Sequence, residues 1–281
     1  MKQTTEIASK SYGPFGRGGV CSGTVSPMWA PVRAAFEENF ALNYELGAQL
    51  VVYEGDDIVV NLSGKSSKQK HYSEDTLQNI FSSGKNMEAV CMAILMDRGL
   101  IAYDDLVCKH WPAFGKHGKE KVTIADVLRH EGGVPFFSDC TDLSDGKKDT
   151  RLKREHFEDT DAFDSVIENS GKYDLNSRRH YHAVTRGWVL SGIIRRVDPR
   201  GRTLGQFMQD EVCAPLSLDI FCGMEPSLQA VHEFADVKDI SIPYMLSHLI
   251  APALLGVGDP TIKAAVHGLK TKFDIINRHS K

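Results

Sequence analysis

Val32, Ala35, Phe36 and Phe40 recur at helical spacing behind Pro31, a residue favoured at a first helical position. This predicts an amphipathic helix ending near Asn43. A hairpin is predicted next. Ala48 to Tyr53 is rich in strand formers, Glu54-Gly55-Asp56-Asp57 is turn chemistry, and Ile58 to Leu62 is strand-like again. The polar run Ser63 to Glu74 reads as surface loop. Residues 85 to 98 carry one apolar face, marked by Met87, Val90, Cys91, Ile94 and Leu95, and Gly99 stops them. Thr123 and Asp126 form a capping-box-like pair at the head of another helix, which runs to Glu131-Gly132-Gly133. Residues 138 to 180 are charged, turn-rich and weakly periodic, and read as an insertion or a helical lobe. His182 to Arg196 turns helical again, with Val184, Trp188 and Ile193 in phase, before Asp198-Pro199-Arg200-Gly201 ends it. Leu204, Phe207, Met208 and Val212 mark one more helix, closed by Pro215.

A helix followed by two antiparallel strands and then several helices predicts an α+β fold, an antiparallel sheet flanked by helices with a helical lobe. Residues 1–27, rich in Gly, Ser and Thr, read as a flexible or extended lead-in to a domain over 28–281. No internal repeat is visible.

Composition narrows the function classes. With 281 residues, 42% hydrophobic and 25% charged, the chain can bury a sizeable core. A net charge of −4 argues against nucleic acid as a partner, and the basic stretch Lys147 to Arg154 is interrupted and followed by acidic residues, as in a solvated loop. No apolar run approaches a membrane span, and Met1 to Tyr12 lacks the apolar core of a secretory signal. The six cysteines are scattered without a CxxC pair and read as reduced thiols, so a cytoplasmic location is the default, with a mitochondrial one left open.

The segment that carries chemistry is Phe81-Ser82-Ser83-Gly84-Lys85, directly before the strongest helix. Residues three apart on a first helical turn share a face. A Lys amine held there can take the proton of a Ser hydroxyl, and the helix N-terminus favours the negative charge that develops. By itself the spacing is weak, because Ser82 could equally be a helix cap and Lys85 a solvated residue. His180 and His182 flank Tyr181 in an H-x-H pattern but lack further ligands at sensible spacing for a metal. His130 fits a structural role at the turn before Gly132 better than that of a catalytic base. Trp111 and Trp188 fit either a core or a pocket wall. No G-x-S-x-G elbow and no complete phosphate-binding glycine motif is present.

Several segments in order strengthen the Ser82–Lys85 reading. Asn79 to Lys85, Met96-Asp97-Arg98-Gly99-Leu100, Tyr103-Asp104-Asp105, Trp111-Pro112-Ala113-Phe114 and Val122 to Pro135 together resemble the serine β-lactamase and penicillin-binding-protein family. The likeness is to its class C-like, esterase-type members and runs from about Gly47 to Gly223. The resemblance implies Ser82 as nucleophile, Lys85 as its proton acceptor and Tyr181, on a facing loop, as the proton shuttle. It implies a small-molecule or peptide-like ester, amide or lactam substrate and no cofactor or metal. Two departures stand out. The family's Tyr-x-Asn reads Tyr181-His182-Ala183 here, so the side-chain amide is absent, which argues against lactam specificity. No Lys or His after Tyr181 has a Gly two positions on, so the late Lys-Thr-Gly or His-x-Gly strand is absent. The chain is therefore expected to lack the last third of the family domain and half of its oxyanion hole. Losing one such donor costs on the order of 100- to 1000-fold in rate, and a catalytically inactive binding or scaffold protein is the alternative.

Overall fold

The computed structural model describes residues 5–11 (backbone), 19–42, 44–69, 71–137, 157–173, 179–224, 226–229, 231–235 and 237. The chain divides into two compact units, residues 1–79 with 224–239 and residues 80–223 with 240–281.

The first unit is built on an antiparallel sheet of strands β1 (Thr5–Ser11), β2 (Gly19–Val25), β3 (Gly47–Glu54) and β4 (Asp57–Ser66), in the order β1-β2-β4-β3. The predicted hairpin forms as β3 and β4, and Gly55 takes the left-handed φ of +63° that its two-residue turn requires. Helix α1 (Ala30–Ala41) lies against β2 and β4. Phe36, Phe40, Cys21, Val60 and Leu62 form the core beneath it. Phe40 approaches the sheet so closely that a Cβ on Gly64 would stand 2.6 Å from its ring, so only glycine fits there.

Two expectations change in this unit. Gly19–Val25, read from sequence as part of a flexible or extended lead-in, is a strand paired along its whole length with β4, from Gly19↔Ser66 to Val25↔Val60. Its Gly, Ser and Thr content hid Val20, Cys21 and Val25, of which Cys21 and Val25 are buried. Ser63 to Ser66, read as the start of a loop, extends β4 because β2 supplies its partner. Residues 226–237 return to this unit, where Leu77 exchanges backbone hydrogen bonds of 2.9 Å and 2.8 Å with Glu233 and Ala235.

The second unit is helical: α2 (Lys85–Asp97), α3 (Val107–His110), α4 (Ile124–Leu128), α5 (Thr160–Asn169), α6 (Thr185–Val197) and α7 (Leu204–Met208). The Thr123–Asp126 capping box forms as predicted, yet its helix ends at Leu128, before the expected glycines. Within the weakly periodic 138–180 stretch, Thr160–Asn169 is a helix capped by Asp159, whose carboxylate accepts from the amides of Asp161 and Ala162. Residues 138–156, including the basic run from Lys147, and 174–178 lie outside the described residues, as does 238–281. The core gathers Cys91, Met92 and Leu95 of α2, Val189, Leu190, Ile193 and Ile194 of α6, and Trp111. Trp111 reads as core, 1% exposed, and donates to Glu168 at 2.7 Å.

The architecture is thus α+β, an antiparallel sheet with a packed helix in one unit and a helical lobe in the other.

Candidate active site

All three residues singled out from sequence lie in the helical unit. Ser82 sits in a one-turn 3₁₀ segment, Phe81–Gly84, that leads into α2. Phe81 holds a left-handed φ of +46°, a conformation that costs a bulky L-residue on the order of 1–2 kcal/mol. That kink turns the chain immediately before Ser82. Gly84 occupies the cap position of α2, and no side chain caps it, so Ser82 is not the helix cap. Its hydroxyl instead accepts from Lys85 Nζ at 3.4 Å, a long contact. The same ammonium donates to the Ala183 carbonyl at 2.8 Å, which makes Ala183 its firmer anchor.

Tyr181 lies on the loop that precedes α6, and Lys85 Nζ stands 5.1 Å from its ring centroid. Lys85 therefore touches both Ser82 and Tyr181, and the trio converges at the head of α2. The phenol ring also packs on His130, with centroids 4.8 Å apart, and remains 44% exposed.

Two histidines hold this loop in place. The His182 amide donates to His130 Nδ1 at 3.0 Å, and the His180 amide donates to the His130 carbonyl at 2.9 Å. His182 Nε2 accepts from the Val134 amide at 3.0 Å, so the proton must sit on Nδ1, which donates to the His180 carbonyl at 2.6 Å. Burial, foremost, pulls both imidazoles down to about 4; Arg186 disfavours their charged forms as well, and Lys85 that of His130. Both rings are accordingly neutral at neutral pH.

His182, read from sequence as a loop histidine, is only 1% exposed because the Val134 turn closes over it. Both of its nitrogens are already used, leaving none for a metal. Among the described residues no cluster of three His, Cys, Asp or Glu side chains could hold one. His130 takes the turn role expected of it, with a left-handed φ of +65°.

Sequence reasoning missed two charged residues beside the trio. Glu88, one turn beyond Lys85 on α2, forms an ion pair with Arg186 at the start of α6, the closest atoms 3.2 Å apart. Arg186 Nη2 also donates to the Lys85 carbonyl at 3.2 Å. Burial pushes the Glu88 carboxyl up, while Arg186 and then Lys85 oppose that shift. The spacing of three from Lys85 to Glu88 was visible in sequence as neighbouring positions on one helix, but the burial of Glu88 was not.

Residues 33–223 match the family model described as Beta-lactamase. The chain is 31% identical over 202 residues to the esterase/beta-lactamase LipL of Mycobacterium tuberculosis, covering 70% of this chain and 43% of that protein. Among solved structures, a penicillin-binding protein homolog from Caulobacter crescentus is 33% identical with a TM-score of 0.66, over 78% of this chain and 56% of that one. A family VIII carboxylesterase is 28% identical with a TM-score of 0.67, over 78% and 57%. The chain thus spans between two-fifths and three-fifths of the length of these relatives.

Proposed function

The chain belongs to the Beta-lactamase family, and from that premise we propose that it is a serine hydrolase working through an acyl-Ser82 intermediate. The observation that carries the reading is the Lys85 amine within 3.4 Å of the Ser82 hydroxyl while anchored on Ala183 and set against the Tyr181 ring. In the reaction Lys85, as the free amine, takes the Ser82 proton as Oγ attacks a carbonyl carbon. The tetrahedral adduct collapses as the leaving group departs with a proton delivered by Tyr181, which is replenished from Lys85. Water then attacks the acyl carbonyl carbon, the C–Oγ bond breaks to release the acid, and a proton from the water passes through Tyr181 to restore the Ser82 hydroxyl. The head of α2 supplies partial positive charge where the oxyanion forms.

An ester is the substrate class that the site favours. Position 183 contributes only its backbone carbonyl, already taken by Lys85, where the family's Asn would offer a side-chain amide to a lactam or peptide. The carboxylesterase among the similar structures points the same way.

A second reading is a family member that binds without turnover. One experiment separates the two. A fluorophosphonate probe should label the folded protein at Ser82. Ser82→Ala should abolish labelling, and Lys85→Ala should slow it on the order of 100- to 10,000-fold. A folded wild-type protein that stays unlabelled would overturn the hydrolase reading.

A further inference from the structure

The buried Glu88–Arg186 pair is not used by the chemistry above. Its side chains are 15% and 8% exposed, yet the two facing atoms, 3.2 Å apart, are not aligned as a hydrogen bond. A buried pair in that state recovers little of the desolvation that both charges cost, so it is a poor stabilising device. Its surroundings give it another use. Arg186 reaches from α6 to the Lys85 carbonyl as well as to Glu88. In return the Lys85 amine reaches the Ala183 carbonyl, three residues before Arg186. The first turn of α2 and the 183–186 segment are therefore tied in both directions. Gly187 completes the arrangement, because a Cβ there would come within 2.8 Å of Glu88 Oε1.

We infer that Glu88 and Arg186 are positioning residues for Lys85, a role that rests on the hydrolase reading: they dock the Tyr181-bearing loop onto α2 and set the charge around the amine. Lys85 faces Glu88 from its own helix, Tyr181 and Arg186 from the loop and the start of α6, and His130 from the turn after α4, while Cys222 faces Glu88. Glu88→Gln makes that environment more positive by one charge and Arg186→Gln makes it more negative by one. A pair that only glued two helices together would affect both variants alike.

The test follows the pH dependence of fluorophosphonate labelling in the full chain, together with hydrogen exchange at the His182 amide and the first turns of α6. The acidic limb of the labelling rate should move down by about one pH unit in Glu88→Gln and up by about one in Arg186→Gln. His182 and the head of α6 should exchange about tenfold faster in both, with α5 unchanged as the control for global folding. Gly187→Ala guards against a mere loss of stability. Alanine suits a helix better than glycine, yet it crowds the Glu88 carboxylate, so labelling should slow several-fold in a protein that remains folded. Parallel limb shifts, unchanged limbs, or unaltered exchange in both charge variants overturn the role. If the wild type does not label, the hydrolase reading falls, and exchange alone then decides whether the pair positions the loop.

Discussion

Lowering the pH from neutral toward 4 should weaken this fold through His182. The imidazole is held near 4 by burial, against about 6.5 in an unfolded chain. Between those values the unfolded chain binds a proton that the native one refuses, so stability is complete above about pH 6.5 and is lost as the pH falls toward 4. At about pH 5 the difference amounts to about 2 kcal/mol relative to neutral pH, and it approaches 3 kcal/mol below pH 4. The physical reason is local. Nε2 accepts from the Val134 amide and Nδ1 donates to the His180 carbonyl, so a second ring proton would break the first bond and bury a charge. His130, pulled down to the same value, adds an effect of the same sign. Glu88 and Glu45, both pushed up by burial, contribute with the opposite sign. His182→Gln isolates the effect, since a glutamine oxygen can reach the Val134 amide without titrating. Urea unfolding at a series of pH values should show the wild type losing about 2 kcal/mol more than His182→Gln between neutral pH and about pH 5. Parallel losses in the two proteins would refute a buried neutral imidazole at this position.

Two further outcomes follow from packing and capping. Gly192→Ala places a methyl 2.4 Å from the Trp111 ring, which is itself held between Glu168 and the Arg196 guanidinium, 4.0 Å above it. The overpacking should cost about 1–3 kcal/mol in urea midpoint measurements, although alanine favours the helix. Thr123→Ala removes the side-chain oxygen that accepts from the Asp126 amide at 3.1 Å, and should cost about 1 kcal/mol by the same assay.

How much of this was legible in advance depends on the range of the interaction. The helix over 85–97, the Thr123 capping box, the Gly55 hairpin turn and the shared face of Ser82 and Lys85 were all open to reading. Each is set by residues within about one turn of one another, where spacing and backbone preference act directly. The strand at Gly19–Val25 was not legible, because its mixed polar composition became a strand only when β4, some forty positions away, presented matching backbone groups.

The neighbourhood of the candidate site divides in the same way. Sequence by itself determined that a hydroxyl and an amine three residues apart at the head of one helix could meet. Only tertiary structure decided that the amine would rest on Ala183, 98 positions along, that Tyr181 would face it, and that Glu88 would be buried against Arg186. Spacing along a helix is fixed by the backbone's own geometry. Burial and charge pairing between distant segments exist only once the whole apolar core has chosen which faces to bring together.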